Sequence, residues 1–382
     1  MLDVLYLVGN TGDAAVDRRV SMLRTGGAIV SVAGFRRAGS AAPDLGSDDY
    51  YELGETFDAR FLQRTFAIAR AAGSLTRRMR RRAAPDVIVA RNLEMLFLAV
   101  RLRRMWGNRP AIVYECLDIH RVLLGKGVAG SLLRSTESAL MQGVDLILTS
   151  SPRFISEYFD PRNFNRPIRL VENKVLLSDP AIGRPDRSSP AAGPPWKIGW
   201  FGMIRCRRSF EILRAAARDA DGSLQIGIAG RPSPKEFPDF EALLAQSPHV
   251  TFTGAYRFDE LSALYGDVHF SWAVDFFEQG LNSTWLLPNR VYESSFFGAV
   301  PIAVGGVETA RWLAERKIGA ILDGDPEASL RNFLATLTEE HYRGLAEAVQ
   351  RVPLTDLVDG KESCQRLLEA LERPRVRGRA GC

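Results

Sequence analysis

The feature that most constrains this chain is a series of short, unbroken apolar runs, each followed by a glycine or polar turn and then by a helix-like segment. Runs such as Val4–Gly9 and Trp196–Gly202 do not alternate apolar with polar residues, as a strand with one solvent-exposed face would. Unbroken runs are typical of strands that are buried on both faces of a parallel sheet. Their alternation with helix-like segments predicts a doubly wound α/β fold.

The pattern occurs twice, on either side of a segment near residues 178–195 that is rich in Pro, Gly and Ser. A chain of 382 residues has the length of about two domains. We therefore expect a Rossmann-like domain at residues 1–178 and a second one at residues 195–354, which face each other across a cleft.

The composition argues against several classes of protein. The four cysteines, Cys116, Cys206, Cys364 and Cys382, have neither zinc-site nor C-x-x-C spacing, so we expect no disulfide framework and no structural metal. No apolar stretch approaches the roughly 18 residues of a membrane-spanning helix. The N-terminal apolar run is also too short for a signal-peptide core, and we expect a cytoplasmic protein.

Charge is distributed unevenly along the chain. Residues 1–170 hold 25 Lys and Arg against 17 Asp and Glu, a net charge of +8, whereas the remainder carries −3. This asymmetry indicates an anionic partner for the first half. Five arginines end the helix-like stretch Arg60–Arg82, which would suit an anionic membrane surface, although the helix dipole also favours arginines at a C-terminus. Without an aromatic platform, we expect no nucleic acid as a partner.

The turn after the first apolar run carries Gly9 and Gly12 but does not match the G-x-G-x-x-G pattern, so we expect no dinucleotide cofactor. A tight strand-to-helix turn is the plainer interpretation. Such a turn also suits a substrate, and we place Gly12, Asp13 and the following Arg18 at the cleft.

Two segments of the second half combine glycine or a helix start with arginine. Gly202 ends the first strand of that half and is followed by Arg205 and Arg208, an arrangement that suits a diphosphate but also describes a solvated basic loop. Arg290 and Glu293 share one face near the start of a helix that ends at Gly298. They could hold a phosphate and a ribose, or form an ordinary surface ion pair.

Polar residues also follow the strand Ala111–Asp118. Asp118 could serve as a general base and His120 as a hydrogen-bond donor, because ligands of open α/β sheets bind at the carboxyl ends of strands. The alternative is that Asp118 caps the following helix.

Several blocks, in chain order, resemble the GT-B glycosyltransferases of the group 1 (family 4-like) class. They are "DRRVSMLRTGGAIVSVAGF", "PDVIVARNLEMLFLAV", "STESALMQGVDLILTSSPRFISEYF", "LVENKV", "IGWFGMIRCRRSFEIL", "VTFTGAYRFDELSALYGDVHFSW" and "NRVYESSFFGAVPIAV". The resemblance extends to about Leu322. The variants "FGMIRCRRS" and "LPNRVYE" look most like bacterial exopolysaccharide transferases of the succinoglycan, xanthan and sphingan type.

The resemblance implies roles for individual residues. Gly202, Arg205 and Arg290 would hold the donor diphosphate, with Arg208 in the same loop. Glu293 would hold the ribose and Tyr256 would lie near the nucleobase, whereas Gly12, Asp13 and Arg18 would lie on the acceptor side. It also implies that a C-terminal helix, near residues 355–375, packs back on the first domain, and that no metal is required.

One departure from the family pattern bears on mechanism. Retaining members carry a second glutamate eight positions before the one that matches Glu293, and here that position is Trp285. Glu278 lies nearby, but its spacing is wrong. We therefore favour inversion of the anomeric centre, with Asp118 as the base.

The resemblance implies transfer of a sugar from a nucleotide-diphosphate donor, with UDP favoured, to a lipid-linked oligosaccharide in exopolysaccharide synthesis. Such an enzyme would be peripheral at the cytoplasmic face of the membrane. Two alternatives stay open: a nucleotide-sugar 2-epimerase of the same fold, and a non-catalytic scaffold of a polysaccharide assembly complex.

Overall fold

A computed structural model describes residues 1–37, 50–56, 73, 75–177, 184–185 and 190–379. The chain divides into two compact units. The first comprises Met1–Glu172 together with a C-terminal segment that begins at Asp359, and the second contains the chain from Trp196 to Val358. Most of the basic stretch predicted as an amphipathic helix lies outside the described residues, although residues 75–79 at its end are helical.

The first unit is built on a seven-stranded parallel sheet in the order β3-β2-β1-β4-β5-β6-β7. The strands are β1 (Asp3–Val8), β2 (Ile29–Arg37), β3 (Tyr50–Thr56), β4 (Val87–Arg91), β5 (Ala111–Cys116), β6 (Leu146–Thr149) and β7 (Ile168–Leu170). The helices between them are α1 (Ala14–Thr25), α2 (Leu93–Met105), α3 (Arg121–Leu124), α4 (Val128–Met141) and α5 (Pro152–Phe154), which a π-turn (Ile155–Phe159) and a 3-10 turn (Asp160–Arg162) continue.

The second unit repeats this plan with six parallel strands in the order β11-β10-β9-β12-β13-β14. A short strand β8 (Val175–Leu176) precedes β9 (Trp196–Ile204), β10 (Leu224–Pro232), β11 (Val250–Phe252), β12 (Phe270–Trp272), β13 (Val300–Val304) and β14 (Ala320–Leu322). The helices are α6 (Arg207–Asp219), α7 (Phe240–Ala245), α8 (Leu261–Gly266, after a 3-10 turn at Phe258–Glu260), α9 (Asn282–Trp285), α10 (Asn289–Phe297), α11 (Glu308–Arg316), α12 (Pro326–Thr336), α13 (Glu339–Gln350) and α14 (Leu354–Leu357).

In both sheets the strand order reverses beside the first strand, as in a Rossmann fold. The prediction of two doubly wound parallel sheets is therefore confirmed. One predicted boundary was wrong: the strand expected over Ala111–Asp118 ends at Cys116. Within the described residues, no helix has both the length and the apolar character needed to cross a bilayer.

The last helix, α15 (Lys361–Arg379), follows a two-residue strand β15 (Val358–Asp359) and belongs to the first unit. It packs on α1 so closely that a Cβ on Gly26 would lie 2.7 Å from the carbonyl oxygen of Cys364. Leu367 and Leu371 are buried in the same apolar cluster as the α1 side chains. The final helix therefore completes the core of a sheet that begins at the other end of the chain.

We predict that Leu371→Ala lowers the free energy of unfolding of the first unit by about 2–5 kcal/mol, because it leaves a cavity in this cluster. The matched control is Glu372→Ala on the exposed face of the same helix, which should change stability by no more than about 0.5 kcal/mol. Denaturant unfolding with probes in the first unit measures both. Equal stability of the two variants would contradict the packing of α15 described here.

Candidate active site

Two glycines open the carboxyl ends of β9 and β10 in the second unit. Gly202 and Gly230 are paired in register, and both have positive φ, +116° and +137°. A Cβ on Gly230 would collide with the carbonyl oxygen of Gly202, so only glycine permits this approach of the two backbones. The result is a strand end without side chains, where a ligand can approach the main chain.

Two tyrosines and a carboxylate lie next to these glycines. A Cβ on Gly202 would be 3.9 Å from the hydroxyl of Tyr256. Tyr265, at the end of α8, is buried and donates a hydrogen bond of 3.1 Å to Oε2 of Glu293 on α10. Burial and the Glu293 carboxylate raise the pKa of both phenols, so the tyrosines remain hydrogen-bond donors at neutral pH.

Arg290 belongs to the same cluster. It lies one turn before Glu293 on α10, and its Nη1 donates to the carbonyl oxygen of Trp272, at 3.1 Å, at the end of β12. Its charge acts on both Tyr256 and Tyr265. The structure thus brings together Gly202, Tyr256, Arg290 and Glu293, the residues that the family resemblance assigns to the donor.

Tyr265 is the member of this cluster that sequence reasoning missed. Its ring stacks on Phe297 and meets Phe201 edge to face, so in sequence it is indistinguishable from an ordinary core aromatic. Its hydroxyl fixes the Glu293 carboxylate.

The predicted basic loop, Arg205 and Arg208, is held by a segment that the sequence analysis did not single out. Arg205 lies 3.2 Å from the carboxylate of Asp275 and 4.9 Å from the ring centre of Phe277. Arg208 lies 4.4 Å from the ring centre of Phe276 and donates a bond of 2.7 Å to the side chain of Gln279. These residues follow β12, the strand beside β9, so the basic loop is braced rather than loosely solvated.

The glutamate that the family pattern would place at position 285 has no direct substitute there. Trp285 ends the short helix α9, and Glu278 lies in the loop before it, where Oε2 accepts a hydrogen bond of 2.7 Å from Asn282. Glu278 therefore lies within the bracing loop, between Phe277 and Gln279, and connects it to α9. Among the described residues, no cluster of three or more His, Cys, Asp or Glu side chains is arranged to hold a metal ion.

The first unit has a buried charge network at the carboxyl ends of its central strands. Glu115 on β5 is fully buried, accepts a very short hydrogen bond from the Tyr6 hydroxyl of β1, and lies 2.5 Å from Nε of Arg19 on α1. Burial opposes ionisation of Glu115, but the charges of Arg19 and Arg91 outweigh it, and the pKa of the carboxyl is lowered. Arg91 at the end of β4 continues the network to Asp13, at 3.1 Å.

Of the three residues predicted on the acceptor side, two lie together and one lies elsewhere. Gly12 is in the turn before α1, and Asp13 caps that helix by accepting a bond of 3.0 Å from the backbone of Ala15. Arg18 instead pairs with Asp359 at 2.7 Å, beside the C-terminal helix. The structure therefore gives Arg18 a packing role between α1 and the end of the chain.

Asp118 and His120 follow β5, and both side chains are exposed. The cap of the next helix is His120, because its Nδ1 accepts a hydrogen bond of 3.3 Å from the backbone of Val122. The alternative that Asp118 caps this helix was therefore wrong. With Nδ1 accepting, a neutral imidazole carries its proton on Nε2, which can then donate a hydrogen bond.

No family model matches the chain. The succinoglycan biosynthesis protein ExoL of Rhizobium meliloti (strain 1021) is 46% identical to it over 376 residues, which cover 97% of this chain and 93% of that protein.

Solved structures with 12–15% identity share the fold. Sucrose-phosphate synthase of Thermosynechococcus elongatus superposes with a TM-score of 0.72, covering 98% of this chain and 100% of that one, at 15% identity. Anabaena HepE in complex with UDP and glucose gives 0.68 over 97% and 99%, at 13% identity. The lipopolysaccharide outer core galactosyltransferase WaaB gives 0.62 over 97% and 99%, at 12% identity. The fold is that of the GT-B glycosyltransferases.

We predict that Glu115→Gln destabilises the first unit by about 3–5 kcal/mol at pH 7, because Arg19 keeps its buried charge without a counter-ion. The lowered pKa of Glu115 means that its contribution is complete above its ordinary value of 4.5 and is lost as the pH falls through the folded-state value. The difference between wild type and variant should therefore shrink below about pH 4.5. Unfolding curves from pH 7 to pH 3 test this, with the exposed Glu157→Gln as control. A pH-independent difference would contradict an ionised Glu115.

Proposed function

This chain has the GT-B fold and belongs to the family of the succinoglycan biosynthesis protein ExoL, and we propose that it is a glycosyltransferase that moves a sugar from a nucleotide-diphosphate donor to a lipid-linked oligosaccharide. The observation that carries the proposal is the cluster of Gly202, Tyr256, Arg290 and Glu293 at the carboxyl end of the second sheet. The enzyme would act at the cytoplasmic face of the membrane.

The donor half of the proposal follows from the chemistry of this cluster. Glu293 is held by a phenol and presents a carboxylate to a ribose diol, which donates two hydrogen bonds. Arg290 and the start of α10 supply positive charge to a diphosphate. Tyr256 offers an aromatic face to a base. UDP is the favoured nucleotide because a structure of the same fold, HepE, holds UDP.

The basic loop would stabilise the leaving group. As the bond from the anomeric carbon to the diphosphate oxygen breaks, negative charge develops on that oxygen. Arg205 and Arg208 are already fixed by Phe276 and Phe277, so little reorganisation is needed when the charge appears. Because these arginines would neutralise the charge of the leaving diphosphate, we propose that catalysis does not require a metal ion.

On the acceptor side we propose inversion with Asp118 as the base. The Asp118 carboxylate would take the proton of the acceptor hydroxyl as its oxygen attacks the anomeric carbon from the face opposite the diphosphate. His120 presents Nε2–H as a donor to the acceptor. The support is the exposure of both side chains directly after a central strand and the tryptophan at position 285.

Neither alternative function has a specific observation in its favour. A 2-epimerase of this fold would need no acceptor, and a scaffold that binds no donor would have no use for the Tyr265–Glu293 contact. The donor-binding and product measurements below separate these alternatives from the transferase.

We predict that UDP raises the melting temperature of the second unit and that Glu293→Ala or Arg290→Ala abolishes the shift. A ligand at about 100 times its Kd stabilises the folded state by about 2.7 kcal/mol.

Tyr265→Phe keeps the ring packing but removes the bond to Glu293, so it should weaken UDP binding by roughly tenfold, the value of about one good hydrogen bond. The exposed Glu241→Ala is the matched control. If none of UDP, GDP and ADP raises the melting temperature, the assignment of the donor site is wrong.

We predict that Asp118→Asn lowers kcat by about 10²–10⁴-fold, the usual contribution of a general base, while UDP affinity stays unchanged. Asp160→Asn, at another exposed aspartate of the first unit, should leave kcat as it is. Proton NMR of the product gives the anomeric configuration. A product that retains the donor configuration, or full activity of Asp118→Asn, would overturn inversion with this base.

A further inference from the structure

The outer face of α4 in the first unit is uncharged. The helix has two charged side chains, and both are used inside the unit: Glu137 is fully buried, and Arg134 donates bonds of 2.6 Å and 3.0 Å to the carbonyl oxygens of Gly125 and Leu123. Toward solvent the helix presents serine, threonine, alanine and two large apolar residues. A helix that faces only water normally carries charges on that side.

Val128 and Leu132 are the apolar residues of this face. Val128 is 88% exposed and Leu132 is 69% exposed. They are four residues apart, so they stand on the same side of the helix, one turn above the other. We call them, with Arg121 and Lys126, the α4 tip.

The α4 tip is held rigidly. A Cβ on Gly130 would collide with the carbonyl oxygen of Gly125, so glycine is required for the loop to pack against the first turn of α4. The two bonds from Arg134 hold the carbonyl groups of the same loop. Because the backbone is fixed, the apolar pair cannot fold back onto the unit and stays presented to its surroundings.

Two exposed cations precede the apolar pair in the chain: Lys126 lies two residues before Val128, and Arg121 opens α3, which contacts α4. Arg121 and Lys126 are both exposed, and in the described part of the chain neither takes part in an ion pair. Apolar side chains beside free basic ones are the pattern of a segment that rests in the headgroup layer of an anionic bilayer.

We propose that the α4 tip docks this protein on an anionic lipid bilayer, with Val128 and Leu132 inserted at the headgroup boundary and Arg121 and Lys126 against lipid phosphates. A second copy of the chain is a poorer occupant, because a stable interface buries about 1,200–2,000 Å² and two side chains supply a small part of that. The inference deepens the proposed function in one respect, since a lipid-linked acceptor lies in such a bilayer.

The test is co-sedimentation of the full chain with vesicles, without donor or acceptor. Binding to vesicles with about 30% phosphatidylglycerol should exceed binding to pure phosphatidylcholine by about fivefold for each basic residue that lies near the anionic surface. The double variant V128S/L132S should reduce the partition coefficient by about tenfold or more, as expected for two lost apolar side chains. R121Q/K126Q should remove the preference for the anionic lipid.

Two further variants separate docking from general effects. Leu132→Trp should bind as tightly as wild type, because tryptophan favours the bilayer interface, whereas a specific protein contact would not tolerate it. Phe258→Ser removes an apolar side chain that is 57% exposed in the second unit and should leave vesicle binding unchanged. Circular dichroism melting curves should be the same for all variants, since every altered side chain is exposed.

The proposal is overturned if wild type does not bind anionic vesicles, or if V128S/L132S binds as well as wild type. It is also overturned if sedimentation velocity shows a dimer that V128S/L132S dissociates, because the face is then an interface between copies. UDP binding is measured separately, so failure of the donor assignment leaves the vesicle result intact and the two proposals can fail independently.

Discussion

The first unit depends on one buried carboxylate. Glu115 has no exposure to solvent, yet it stays ionised because Arg19 and Arg91 face it and Tyr6 donates to it. These residues come from β1, α1, β4 and β5, so one charge ties together the elements that meet at the centre of the sheet. A buried ion is stable only when its partners are placed with good geometry. This network therefore fixes the position of the turn before α1, through Asp13 and Arg91, and anchors the end of β5, where the next loop begins.

In the second unit the strand ends are held together by different chemistry. Its strand ends meet through glycines instead of charges, and the two backbones approach as closely as their carbonyl groups allow. The polar groups lie around this opening and are oriented by a phenol donor, by aromatic rings and by the Asp275 carboxylate. The first unit thus pairs its charges in the interior, whereas Arg205, Arg290 and Glu293 of the second unit stay partly exposed.

Local signals in the sequence predicted the structural elements whose conformation is set by residues close together in the chain. The helix predicted from Asn289 to Gly298 is α10, and Gly298 has the left-handed conformation of a helix end, φ +87°. Side chains whose role depends on distant partners could not be found in this way. Arg18 pairs with a residue 341 positions away, and Tyr265 differs from a core aromatic only through its contact with Glu293. The loop at Asp275–Gln279 matches no sequence motif. It contacts Arg205 and Arg208 because it follows β12, the strand that pairs with β9.

Because α15 packs on the first unit, the core of that unit can be completed only after the second unit has been synthesised. The apolar face of α1 is made early, whereas the helix that covers it is the last element of the described chain. A nascent chain therefore carries an unfinished first sheet while the whole second unit is synthesised and able to fold as a unit. During that interval the apolar cluster that joins Val20 and Leu23 to Leu367 and Leu371 is incomplete, and apolar surface exposed in this way is what chaperones bind.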